Sequence, residues 1–188
     1  MKKALWKRPG FWISWASIAG LIAVFAFGFS TDPKKVPSPL IGKSAPDFVV
    51  RQLDGNQEIR LSQIKTPVVL NFWASWCVEC RGEAHVLEAF HQKQKKSEKP
   101  LTVLGISIQD SEENARAFAR QFGKTYFLAL DDPSGSIAMD YGIYGVPETF
   151  FIDAEGNIRH KQIGGVTATL LNQQKKILFS CSRYFLHL

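Results

Sequence analysis

From Phe11 to Phe29 the chain carries no charged residue and is dominated by Trp, Phe, Ile, Leu, Val and Ala. A bilayer core calls for about 20 apolar residues, ~17 at the least, so a transmembrane helix is predicted over 11–29. Residues 1–10 form a basic tail ahead of it, and Trp12 and Trp15 fit an interfacial belt at its start. A cleaved signal peptide is the alternative, with Ala26-Phe27-Gly28 as a poor cleavage site. Both readings export the remainder of the chain. Pro33, Pro37 and Pro39 then mark a stiff spacer over 30–44.

Beyond the spacer the pattern changes period. Phe48–Leu53 and Glu58–Leu61 flank Asp54-Gly55, which predicts a β-hairpin. Pro67–Ala74 is almost continuously apolar, as expected of a strand covered on both faces. From Cys77 to Lys96 the spacing is helical, with Val86, Leu87 and Phe90 on the apolar face. Leu101–Ile108 predicts a second buried strand, and Ser111 with Asn114 opens a helix reaching Phe122. A strand over Tyr126–Leu130 and a short helix over Ser134–Tyr141 follow. Thr149–Asp153 and Asn157–Ile163 are strands joined at Ala154-Glu155-Gly156, and a last helix spans Thr167–Phe179. Strands alternating with helices, closed by a hairpin and a helix, make an α/β sandwich over 45–179. Residues 180–188 form an atypical apolar tail, with Cys181 an odd thiol.

Composition changes this picture little. Hydrophobic residues at 45% and charged residues at 21% are globular values and exclude a disordered chain. The net charge of +6 invites a nucleic-acid reading, but Lys2, Lys3, Lys7 and Arg8 crowd the start while all 17 acids lie beyond residue 31. The rest of the chain is nearly balanced, so no nucleic-acid partner is expected.

The chemistry concentrates in Trp73-Ala74-Ser75-Trp76-Cys77-Val78-Glu79-Cys80. A buried strand ends there and a helix begins at Cys77, among free N–H groups at the positive end of the helix dipole. That setting favours the thiolate, which is the nucleophile. Cys80 lies one turn on, within reach of the first sulfur. Cys77 is therefore the expected attacking thiol and Cys80 the resolving one. A zinc site is not expected: His85, His91, His160 and His187 show no ligand spacing and there is no second Cys pair. No cofactor is implied. A structural disulfide stays open as an alternative, although so short a ring restrains the unfolded chain little. Gly145-Val146-Pro147-Glu148-Thr149 precedes a strand. A cis bond at Pro147 would expose backbone beside the thiols to an incoming peptide, whereas a trans bond would make an ordinary turn. Trp76, Val146 and Pro147 are the expected substrate-binding residues.

Residues 41–165 resemble the thioredoxin superfamily, and within it the membrane-anchored CcmG/DsbE type that reduces apocytochrome c during cytochrome c maturation. The resemblance rests on Gly42-Lys43-Ser44-Ala45-Pro46-Asp47-Phe48, on Asn71–Cys77 with Cys80, on Gly145–Phe150 and on Ile152–Gly156. It implies a mixed four-stranded sheet with an N-terminal hairpin and a central βα insert. It also implies a periplasmic reductant on the inner membrane, an apocytochrome Cys-x-x-Cys-His disulfide as substrate, and a membrane thiol transporter of the DsbD or CcdA type as electron donor. Two acids gain interest from it: Glu83, three residues after Cys80, and Glu148, after the proline. A carboxylate near a thiol disfavours the thiolate, and Glu83 is a candidate proton acceptor for Cys80. The chain departs from many relatives in having Val78-Glu79, without proline, between the cysteines. Three other readings fit the same motif less fully: a general oxidant or isomerase, an apocytochrome-binding module whose thiols are incidental, and a peroxidase. The last shares Ala45-Pro46-Asp47-Phe48 but lacks the peroxiredoxin Pro-x-x-x-Thr-x-x-Cys setting before Cys77.

Overall fold

The computed structural model describes residues 9–29 and 38–181. Most of the basic tail, the first part of the spacer and the last seven residues of the chain lie outside the described residues. The uncharged run forms helix α1 (Pro9–Phe29). It is long and apolar enough to cross a membrane, and Trp15, Ile18, Leu21 and Val24 stand exposed along it. Its two serines turn inward: Ser14 Oγ donates to the Gly10 carbonyl and Ser17 Oγ to that of Ile13, each at 3.0 Å. Those bonds leave no side-chain hydroxyl of this helix in need of water.

The second unit, from Pro37 onward, is built on strands β1 (Val49–Arg51), β2 (Glu58–Arg60), β3 (Val68–Trp73), β4 (Thr102–Ser107), β5 (Phe127–Leu130), β6 (Glu148–Ile152) and β7 (Ile158–Ile163). Between them lie α2 (Val78–Lys95), α3 (Glu112–Gln121) and α4 (Ser136–Asp140), and α5 (Ala168–Cys181) closes the chain. The main sheet runs β5-β4-β3-β6-β7, with β4 parallel to β3 and to β5, and β6 antiparallel to β3 and to β7. The sheet has five strands where four were expected, because β5 pairs in parallel with β4 and extends it.

All six residues of β3 are buried, as a covered central strand requires. Alternate residues feed two cores. Val69 and Trp73 join Leu87, Phe90, Phe118 and Leu171 on the α2 side. Leu70 and Phe72 join Ile106, Tyr141 and Phe150 on the other. On α2 the buried positions Cys80, Glu83, Ala84, Leu87, Phe90 and Gln94 trace one helical stripe, and Lys93 and Lys95 complement the dipole at its end.

Both sheet edges are covered, which blunts their capacity to pair with other chains. The β1–β2 hairpin reaches β5 through the Leu53 N–H, which donates to Leu128 O at 2.7 Å. At the other edge the Gly42 N–H donates to Ile158 O and the Ala45 N–H to Gly156 O, each at 2.8 Å. The later part of the expected spacer is thus attached to the domain rather than free of it. The last helix continues past its expected end at Phe179 as far as Cys181, and the rest of the expected tail lies outside the described residues.

Gly105 on β4 pairs with Asn71 and has no room for a side chain. An added Cβ would lie 2.8 Å from Leu128, 3.0 Å from Tyr126 and 3.1 Å from Trp73 Nε1. Gly105→Ala should therefore destabilise the domain by about 1–3 kcal/mol, read as a lower urea midpoint with an unchanged m-value.

Candidate active site

The buried strand β3 delivers the loop Ala74–Trp76 to the start of α2, where Cys77 is the Ncap residue. Its Sγ accepts the Cys80 N–H at 3.0 Å, the bond a Ser or Asp oxygen makes at an ordinary N-cap. Cys77 and Cys80 form a disulfide, with Cα atoms 5.3 Å apart. Cys77 is 5% exposed and Cys80 fully buried, so only the first sulfur is open to a partner. When the bond opens, the amide already aimed at Cys77 favours a thiolate there. The Val146–Pro147 bond is cis, and the Val146 carbonyl oxygen lies 3.5 Å from Cys77 Sγ. Backbone of the β6 entrance therefore stands beside the accessible sulfur, where an extended peptide could pair with it.

Trp76 is 55% exposed on the rim, and its Nε1–H donates to the Gln109 carbonyl at 3.1 Å. Gln109 takes a left-handed conformation (φ +48°) to offer that oxygen. Asp110 secures the loop on the other side. Its carboxylate accepts the Ser75 N–H at 2.7 Å, the Ser75 hydroxyl at 2.8 Å, the Ser107 hydroxyl at 2.9 Å and the Ser111 N–H at 2.9 Å. Neither Gln109 nor Asp110 is recognisable from sequence, where Asp110-Ser111 reads only as a helix start. Tyr144, 95% exposed three residues before the cis-proline, is likewise missed.

Glu83 lies beneath the cysteines as expected, on the same face of α2 as Cys80 and only 3% exposed. Its Oε1 accepts the Asn71 amide at 2.8 Å and its Oε2 accepts the Val166 N–H at 2.9 Å. Burial raises its pKa above the usual carboxyl value, opposed by these two bonds and by the charge of Lys124. Glu148 is buried too, but on the opposite face of the sheet, in register with Phe72. Its Oε2 lies 2.7 Å from Lys161 Nζ, and its Oε1 accepts the Tyr144 N–H at 3.4 Å. Its charge is thus met by a buried lysine, and the two acids that the sequence grouped together are separated by the sheet. Glu79, between the cysteines, accepts the Gly165 N–H at 3.1 Å. Among the described residues no cluster of His, Cys, Asp or Glu could hold a metal ion.

Comparison with known proteins agrees with this geometry. Residues 41–161 match the AhpC/TSA family. The thiol:disulfide interchange protein DsbE of Allochromatium vinosum is 39% identical over 153 residues, covering 79% of this chain and 80% of that protein. That of Escherichia coli (strain K12) is 34% identical over 151 residues, covering 79% and 78%. Among solved structures, the thioredoxin domain of a thiol-disulfide oxidoreductase from Bacteroides vulgatus superposes with a TM-score of 0.64 at 27% identity, covering 73% of this chain and 97% of that one.

Asp110→Ala removes an acceptor from two N–H groups and two hydroxyls. It should cost about 1–3 kcal/mol of stability and slow disulfide interchange by loosening the Trp76 loop, measured by urea denaturation and by turnover of a model disulfide.

Proposed function

The chain belongs to the AhpC/TSA family, with the DsbE thiol:disulfide interchange proteins among its relatives, and from that premise we propose that it reduces the Cys-x-x-Cys-His disulfide of apocytochrome c before haem attachment. That the protein is a thiol:disulfide oxidoreductase follows from the family and from the Cys77–Cys80 pair. The observation that carries the finer reading is one accessible sulfur at a helix N-cap, flanked by the Val146 carbonyl and the exposed Trp76 ring. That arrangement suits an extended polypeptide rather than a small molecule.

The reaction begins from the dithiol. The Cys77 thiolate attacks one sulfur of the client disulfide, forming the mixed disulfide and expelling the other client sulfur as a thiolate, which takes up a proton. Cys80 then passes its thiol proton to Glu83, and its thiolate attacks Cys77 Sγ. The Cys77–Cys80 disulfide forms, and the second client sulfur leaves as a thiolate and is protonated. Two electrons have moved from the protein to the client. Glu83 is placed for the proton step because it lies one turn beyond Cys80 on the same buried face.

In this reading α1 anchors the protein in the inner membrane with its basic start in the cytoplasm, and the domain works in the periplasm. Cys77–Cys80 is returned to the dithiol by a membrane thiol transporter of the DsbD or CcdA type. Tyr144, Trp76 and Val146 would line the client.

Cys80→Ala removes the resolving thiol and should leave Cys77 covalently joined to its client in native membranes. Recovery of apocytochromes carrying Cys-x-x-Cys-His, identified by mass spectrometry, supports the reading. Recovery of many unrelated exported proteins would assign a general oxidoreductase instead.

A further inference from the structure

Lys124 sits in the loop between α3 and β5, the strand that widens the sheet, yet only 9% of it is exposed. Its Nζ lies 3.9 Å from the centre of the Trp73 ring, 5.0 Å from that of Phe118 and 5.5 Å from that of Tyr126. Among the described residues no hydrogen bond or ion pair reaches this Nζ, and the only hydrogen bond of Lys124 is from its backbone N–H to the Ala119 carbonyl. Aromatic faces attract a cation, but three of them do not replace the water it has lost. Two polar atoms of the same enclosure, Trp73 Nε1 and the Tyr126 hydroxyl, also find no partner among the described residues. A buried amine held in this way needs a counter-charge, and among the described residues the buried carboxylate on the α2 side of β3 is that of one glutamate.

That carboxylate is Glu83. Asn71 and Trp73 are two residues apart on β3 and face the same way, so their side chains stand about 7 Å apart. Asn71 holds Glu83 Oε1 and Trp73 carries Lys124. We propose that Lys124 is the charge partner of Glu83, a positioning residue that keeps this buried carboxylate ionised and ready to take the Cys80 proton. The proposal rests on the role given to Glu83 above. The titratable groups facing Lys124 are Glu83 and Glu88 from α2, with His91 behind the Tyr126 ring, and Tyr126 itself at the start of β5; α3 meets it with Phe118. Glu88 is engaged by the Thr125 N–H and hydroxyl at the surface, which leaves Glu83 as the buried partner.

The electrostatics agree in direction. Burial brings Lys124 down to about 7, against the pull of Glu83 and Glu88, while its charge lowers the Glu83 pKa that burial raises. Below neutrality Lys124 is charged and supports the carboxylate. Above it the support fades. The pair therefore extends the range over which Glu83 can accept a proton downward, toward lower pH.

The test uses the reduced full chain in detergent micelles with glutathione disulfide as oxidant. Two quantities are followed across the neutral range: release of glutathione from the mixed disulfide, and titration of the Glu83 carboxyl carbon by carbon-13 NMR. In Lys124→Met the Glu83 midpoint should rise by about one unit, a tenfold gain in proton affinity, at the low end of what loss of a nearby opposite charge does. The pH at which the resolving step gains speed should rise with it, and Lys124→Arg should restore both. An unmoved Glu83 midpoint in folded Lys124→Met would overturn the proposal. The unsubstituted protein gives a second check that needs no folded variant. Its Glu83 signal should show a further inflection as Lys124 loses its charge, and a single inflection would overturn the proposal as well. Glu83→Gln separates the two ideas. If it slows the resolving step while Lys124→Met does not, Glu83 keeps its role and Lys124 has none; if it does not slow that step, both fall.

Discussion

Cys77 Sγ accepts the Cys80 N–H because β3 ends one short loop before α2 begins, and the site depends on that junction. A buried strand cannot turn into a helix without leaving N–H groups unpaired at the first turn. Here a sulfur takes the place of the usual capping oxygen, so the atom that completes the helix is also the atom that reacts. The surrounding loop is fixed for the same purpose. Asp110 holds Ser75 from one side, and the Gln109 carbonyl holds the Trp76 indole from the other. The cis Val146–Pro147 segment then completes the site from the far end of the chain.

The central sheet also sorts the charges. On the α2 side Glu83 is bound by Asn71 and Val166, beneath the buried Cys80. On the other side Glu148 is matched by Lys161, which also donates to the Gly142 carbonyl at 3.1 Å and lies near the Tyr144 ring. The two acids therefore serve different ends. Glu83 joins β3 to the β7–α5 loop beneath the resolving cysteine, the position from which the proposed proton step starts. Glu148 pins the loop that carries Tyr144 and the cis-proline, and its influence on the thiols is that of an ion pair rather than of a bare charge.

The elements were legible wherever one physical signal dominated. β3 was visible as an unbroken apolar run because both its faces are covered, and the Asp54-Gly55 turn announced its hairpin. The cysteines were legible because their spacing suits a helix start. What escaped was long-range. The extra sheet strand depends on packing, and no local period in Tyr126–Leu130 says whether it will pair with β4. Lys124 and Asp110 have ordinary sequence surroundings and become functional candidates only when distant aromatics and serines are brought to them. The separation of Glu83 from Glu148 could not be read from spacing either, since it follows from the antiparallel register of β3 with β6.

The missing proline between the cysteines suggested a loosely held helix start, and the structure shows what takes its place. Proline at such a position would restrict the backbone of the first turn. Here the Glu79 side chain reaches across to the Gly165 N–H, while Glu83 one turn later takes the Val166 N–H. Two consecutive amides of the β7–α5 loop are thus bound to two carboxylates on adjacent turns of α2. The restraint is tertiary rather than local, and it brings a negative charge with it, within the first turn that also holds both sulfurs. A carboxylate there opposes the pull of the Cys80 amide toward a Cys77 thiolate. In this protein the contact that steadies the helix start and the charge brought into its first turn belong to the same side chain.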